Sequence, residues 1–319
     1  MSSHPSTAQG LVNQRECVAV AAALTSLSVI IVTLRVYTRA VIVRNFGHDD
    51  YAMLVALVLI IGYFVAIIVL KDNGLGLSGE VLSPTQMRNQ VQTTLAIQVI
   101  YYVVINTIKI SILFFYLRIA ARKRLEALSK GTIGFLAAFC SICIICTLSQ
   151  CIPLHKFWDL TGTAPGTCSI DATALFYATS SINIAIDIWI LVLPITTLLK
   201  VQRPTREKAA LVGIFSLGVF STIASIVRLH AIHIYTESSD PFFDSVPINL
   251  WSMVEVNVGI LCASIPSLKA LFSSSQRQRS KNGAGYQYHS RGKSGVQDDT
   301  AESESVRLHD VHHAPTSET

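Results

Sequence analysis

Four ionisable side chains stand inside long apolar stretches of this sequence: Lys109, Asp187, Arg228 and Glu255. An isolated charge in hydrocarbon costs from about 2.5 kcal/mol upward, so each needs a counter-charge and each is a functional-site candidate. At about 1.5 Å of rise per residue, Lys109 lies about 13 Å from Arg118 and Asp187 about 18 Å from Leu199, depths at which the two can meet. Arg228 and Glu255 each fall about 10 Å from the opposite end of consecutive apolar runs, which makes them a second pair. Asn106, Asn183 and Asn257 lie in the same stretches and can hydrogen-bond across helices. Two readings stay open. The pairs either only hold a bundle together, or they belong to a functional site.

The other reactive residue types carry weaker signals. Cys151 and Cys168 flank a segment containing Pro153, Trp158 and Gly166, and on an oxidising membrane face such thiols are expected to form a disulfide. Cys140, Cys143 and Cys146 sit among Phe, Ile, Ala and Ser without His or carboxylate, the setting of small packing residues. Gly74, Gly76 and Gly79 match G-x-G-x-x-G, but no strand precedes them, so they read as a tight turn and not a nucleotide cradle. Gly292-Lys293-Ser294 lacks the first P-loop glycine, and His309, His312 and His313 lie in a polar tail. Asp49 and Asp50, at the start of the second apolar run, are expected to act as N-cap and first-turn acids. Neither G-x-S-x-G nor H-E-x-x-H occurs, and among the spans only the region of His230 and His233 holds histidine, so an enzyme is not expected.

The elements that must position these residues follow from composition. With 51% hydrophobic and 14% charged residues and a mean hydropathy of +0.49, the chain would expose too much apolar surface in water. A run of about 20 apolar residues spans the hydrocarbon core, and seven such runs occur: 17–35, 51–70, 92–117, 132–152, 173–199, 209–235 and 248–272. The expected fold is an all-α polytopic bundle of seven transmembrane helices at residues 17–272, between a short N-terminus at 1–16 and a disordered tail at 273–319. Residues 1–16 lack the charged start and cleavage site of a signal peptide, so the first helix reads as an uncleaved anchor.

Lys and Arg set the expected orientation. With the N-terminus outside, sixteen of them fall on inner segments, around Arg35 to Arg44, Arg118 to Lys130, Lys200 to Lys208 and Lys269 to Lys281. Only Arg15, Lys71, Arg88 and Lys156 fall outside. The net charge of +5 then belongs to loops facing an anionic leaflet, with no call for nucleic acid.

The order of motifs resembles the fungal rhodopsin-domain integral membrane proteins, a seven-helix family with receptor-like members. The resemblance runs over roughly residues 20–272: Gly47-His48-Asp49-Asp50-Tyr51, Gly74-Leu75-Gly76, and Asn106 through Lys109 to Arg118. It continues in Cys151-Ile152-Pro153 with Trp158 and Cys168, Asp187 through Leu193-Pro194, Ile223 through Arg228, and Glu255 with Ser264-Ile265-Pro266. Members often carry a His soon after the glycine pair, where Leu77 and Ser78 stand here, and the cysteine-rich N-terminal module of some members is absent. The resemblance implies a seven-helix membrane protein without a retinal cofactor, since Lys269 lies at the helix end and Lys109 on the third helix.

Two functions are expected from these features. The first is a receptor-like sensor of a small molecule or surface cue at the plasma membrane, with a cytoplasmic signalling partner at the basic inner loops. The third helix ends without Asp-Arg-Tyr and the seventh lacks Asn-Pro-x-x-Tyr, so ordinary G-protein coupling receives no support. The alternative is a carrier of a small metabolite with the membrane charges along its path, although no internal repeat is visible.

Overall fold

The structure is a computed structural model that describes residues 7–119, 123–159, 162–163, 165–198 and 205–284. The start of the polar N-terminus (1–6), the loop cations Arg122, Lys200 and Arg203, and the tail from residue 285 with its glycine-lysine and histidine motifs lie outside the described residues.

Seven helices among the described residues are long and apolar enough to cross a membrane. They are α1 (Thr7–Tyr37), α2 (His48–Asp72), α3 (Pro84–Ile119), α4 (Lys123–Leu148), α5 (Ala172–Leu198), α6 (Thr205–Glu237) and α7 (Val246–Ala284). Each expected run lies within one helix apart from a residue or a few at its margins, and most helices overrun the apolar stretch because polar turns continue the backbone ladder beyond hydrocarbon. In α1 the overrun is ten residues, where Gln14 donates to the Lys71 carbonyl at 2.9 Å. In α3 it follows from a capping box: Ser83 Oγ accepts from the Gln86 N–H at 3.3 Å, Gln86 Oε1 accepts from the Ser83 N–H at 3.0 Å, and Pro84 takes the first helical position. The compact unit ends at Ser274, and the described part of the second unit is the last turns of α7.

Consecutive helices α1 to α6 pack as neighbours, and α3 also meets α5. The buried face of α1, at Gly10, Gln14, Cys17, Ala21, Thr25, Ser28, Val32 and Arg35, advances by three or four residues and is built mostly of small side chains that allow close backbone approach. Two-thirds (67%) of the apolar window of α7 is buried but only 22% of that of α4, which places α7 centrally and α4 at the rim. One core joins α1, α2, α3 and α7 around Met53, Ile60, Ile108, Met253 and Val256; a second joins α3, α4 and α5 around Leu113, Leu136 and Ile190. Outward, Val55, Val58 and Val65 on α2, Ile142 and Ile145 on α4 and Phe220, Ile223 and Ile226 on α6 are exposed, an apolar coat suited to lipid.

At one end Cys151 and Cys168 are directly opposed in a two-stranded antiparallel ribbon, β1 (Cys151–Ile152) with β2 (Thr167–Cys168), and form the expected disulfide. The expected turn is at the same end: Gly74 and Gly76 have φ of 87° and 77°, a region open chiefly to glycine, and the Leu77 N–H bonds the Gly74 carbonyl at 3.1 Å.

Candidate functional site

The two pairs anticipated from depth are both present. Lys109 Nζ lies 2.9 Å from Asp187 Oδ1, and Arg228 Nε lies 2.9 Å from Glu255 Oε2. The second is an ionic contact whose Nε–H is not aligned as a hydrogen bond, and the Arg228 guanidinium also sits 4.5 Å from the centre of the Tyr101 ring.

The pairs are not separate. Lys109 Nζ donates to Asn183 Oδ1 at 2.6 Å, and Asn183 Nδ2 donates to Glu255 Oε1 at 3.1 Å and to the Tyr101 hydroxyl at 3.2 Å. Tyr101 in turn donates to Glu255 Oε2 at 2.9 Å. Ser225 Oγ is in donor reach of Glu255 Oε1 and of Asp187 Oδ2, the latter at 3.3 Å, and its one proton serves only one of them at a time. Two cations and two carboxylates on α3, α5, α6 and α7 thus form one neutral network centred on Glu255, which is fully buried. The sequence missed Tyr101 and Ser225 as connectors. The spacing held the signal, since Tyr101 is two turns before Lys109, Ser225 three residues before Arg228 and Asn183 four before Asp187.

The other expected polar residues stand apart. Asn257 Oδ1 accepts from Ser28 Oγ at 2.6 Å and joins α7 to α1. Asn106 donates to the Tyr102 carbonyl of its own helix at 2.8 Å, and its Oδ1 is buried without a partner. Cys140 contacts the Tyr102 carbonyl, and no group of metal-binding residues occurs among the described residues.

Asp49 and Asp50 are first-turn acids of α2 as expected, but neither is its N-cap. Gly47 is the N-cap of α2, and Asp50 caps in reverse by accepting the Gly47 N–H at 3.0 Å. Both acids are buried and paired with Arg35 of α1, at 2.6 Å to Asp49 and 2.8 Å to Asp50, while Arg39 lies 3.6 Å and 3.8 Å from them. Arg35 also donates to the Ala263 carbonyl of α7, and Ser111 of α3 donates to the Asp49 carbonyl at 2.9 Å. Two arginines counted as loop charges are therefore interior residues. Opposite charges facing each other across a short connection of about ten residues were the available cue.

Cavities flank the central network. One of about 70 Å³ has Arg228, Tyr101, Tyr63 and Ser252 in its wall. A larger one of about 290 Å³ shares Thr94, Gln98, Phe176, Tyr235 and Ser245 with it, so the two adjoin across those side chains. The larger chamber is lined by Phe157 of the disulfide loop, Ala172 and Thr173 at the start of α5, and Pro241 and Phe242 between α6 and α7, which puts its mouth at the disulfide end. Across the network a small cavity of about 40 Å³ is lined by Lys109, Asp187, Gly218, Ser221, Gly259 and Cys262.

The fungal rhodopsin domain matches residues 34–274. The chain is 32% identical over 213 residues to a SAT4 family membrane protein of Emericella nidulans, covering 66% of this chain and 53% of that protein. It is 29% identical over 186 residues to Receptor GIN3 of Arthrobotrys oligospora, covering 58% and 44% respectively. Over 252 residues it is 27% identical to Wortmanamides biosynthesis cluster protein C of Talaromyces wortmannii, covering 76% and 66%. The chain spans about half the length of the first two relatives. No solved structure matches it.

Proposed function

The chain belongs to the fungal rhodopsin domain family, and from that premise we propose that it is a receptor-like sensor of a small molecule, with its N-terminus and disulfide outside the plasma membrane. The observation that carries the reading is the pair of adjoining cavities that reach from the disulfide end to Arg228, where the inner one meets a network tying four helices together. An interior that only had to pack could be apolar, because replacing buried ion pairs by well-packed hydrophobic residues is often neutral or stabilising. Hydrogen-bonded charges have discrete alternative partners, and Ser225, between two carboxylates, is one such choice. A ligand that changes the partner of Arg228 would shift this balance and move α5, α6 and α7 against α3. Basic residues at the far ends of these helices would offer the rearranged surface to a cytoplasmic partner. The receptor name of one relative agrees with this reading, and no catalytic role or cofactor is assigned.

A second reading, a metabolite carrier, is favoured by the cavity on the Lys109–Asp187 side, since space on both sides of a charged plug is what alternating access requires. Vesicles containing the purified protein separate the two. A sensor moves none of a panel of labelled small metabolites, while spin labels placed at the α5 and α6 ends change separation on ligand addition. Saturable uptake abolished by Lys109→Met would overturn sensing in favour of transport.

A further inference from the structure

The two adjoining cavities have one Lys, Arg, His, Asp or Glu in their combined lining, Arg228. Around it stand hydroxyl and amide groups of Tyr63, Gln98, Tyr101 and Asn249, with apolar walls at Ile97, Phe176 and Ile232. The outer chamber adds Phe157, Pro241 and Phe242 and no carboxylate. The geometry points to a binding site for a small monocarboxylic acid with an apolar or aromatic body, whose carboxylate is taken by Arg228. This assignment rests on the sensing reading and names the chemistry of its ligand.

Three features select that class. A guanidinium has five N–H donors in a planar fork that suits a carboxylate, and Glu255 lies against the Nε side. The lining itself carries no carboxylate to oppose an anion beside Arg228. Glu255 is also able to lose Arg228 without being stranded, because Tyr101, Asn183 and Ser225 all donate to it. The ligand carboxylate therefore exchanges with Glu255 for the guanidinium, and Glu255 settles on its neutral donors and toward the Lys109 side of the network. The two chambers together are of the size that takes a small ligand, roughly 300 Å³ upward. The apolar body fills the outer chamber between Phe157, Phe176 and Phe242.

The test uses 4-phenylbutyrate and its amide, matched in shape, on the full chain in lipid nanodiscs. The acid is expected to raise the melting temperature saturably, with the amide at least about tenfold weaker, the difference between a charge-assisted and a neutral hydrogen bond. Arg228→Gln combined with Glu255→Gln removes both charges while keeping similar shape and one acceptor oxygen at position 255, and is expected to bind acid and amide alike. Thr94→Phe, in the wall that both chambers share, is expected to abolish the shift for both probes. Equal binding of acid and amide by the unaltered chain overturns the carboxylate assignment and leaves sensing intact. A shift that survives Thr94→Phe overturns the site. If the acid binds in an Arg228-dependent way and is also carried into vesicles, the site stands and the sensing reading falls.

Discussion

Removal of Arg228 and of Glu255 should have unequal and strongly coupled effects. Arg228→Met leaves Glu255 buried without its ionic partner, and breaking a buried pair costs about 3–5 kcal/mol. Three neutral donors remain on the carboxylate, which favours the lower end of that range. Glu255→Leu does more. It strands Arg228 and also leaves the Tyr101 hydroxyl proton and one Asn183 amide proton without acceptors, at about 1–3 kcal/mol each. Ser225 escapes, because it can turn to Asp187 or to the Ser221 carbonyl, 3.1 Å away. Glu255→Leu should therefore exceed Arg228→Met by about 2 kcal/mol or more, and the Met/Leu double variant should stay well below the unaltered chain. An isolated pair would instead allow both apolar replacements at little loss, the expectation that depth alone gives. Glu255→Gln keeps an acceptor, so Arg228→Met with Glu255→Gln should recover about 3 kcal/mol relative to the sum of the single losses. Unfolding free energies from SDS titration in mixed micelles measure the whole cycle. If the Arg228→Met and Glu255→Gln losses add within about 0.5 kcal/mol, the two charges are independent and the network argument is wrong.

Other outcomes are equally specific. Mass spectrometry without reduction should find Cys151 and Cys168 joined, and Cys151→Ser should lower stability by about 3 kcal/mol, the entropy of a loop of this size; both thiols free in protein purified from membranes without reductant would refute the pairing. Arg35→Gln should cost about 3–5 kcal/mol because its buried acids lose their main partner. Arg118→Ala, whose side chain is 30% exposed and 3.7 Å from Asp49, should cost no more than about 1 kcal/mol; similar melting shifts for both would place the Arg35 cluster in solvent. Truncation after Ala284 should leave expression and membrane insertion intact, since the residues beyond have almost no aliphatic side chains, and loss of both would mean that the tail supports the bundle.

Fold was legible because a membrane makes sequence unusually explicit. Seven apolar runs state where helices lie, and rise per residue converts position into depth, which was enough to match Lys109 with Asp187 and Arg228 with Glu255. Depth gives one coordinate of three. It does not give the rotation of a helix about its axis or which helices are adjacent across the bundle, so it could not foresee Tyr101 and Ser225, which with the expected Asn183 join the pairs. The pairing of Asp49 and Asp50 with Arg35 was missed for a related reason. Their position before an apolar run satisfies the helix-dipole rule by itself, and the opposite charge of Arg35, fourteen residues earlier, does not by itself say that the arginine turns inward to meet them.

The two charged clusters have different physical characters. The Arg35 cluster places two acids and two arginines within α1, its π-helical extension at Thr38–Val43 and α2, and touches α7 through the Ala263 carbonyl and α3 through Ser111. No cavity described above includes any of its members. The central network has cavities against both of its ion pairs and a hydroxyl shared between its carboxylates. A ligand can act only where it has differential contacts with two arrangements. The second has space beside its charges and a shared hydroxyl, so it fits the element that rearranges, whereas the first ties α1 to α2, α3 and α7 through buried pairs and fits a fixed clamp. Movement driven from the disulfide end should therefore displace α5 and α6 relative to α3 while leaving the α1–α2 pairing at Arg35 unchanged.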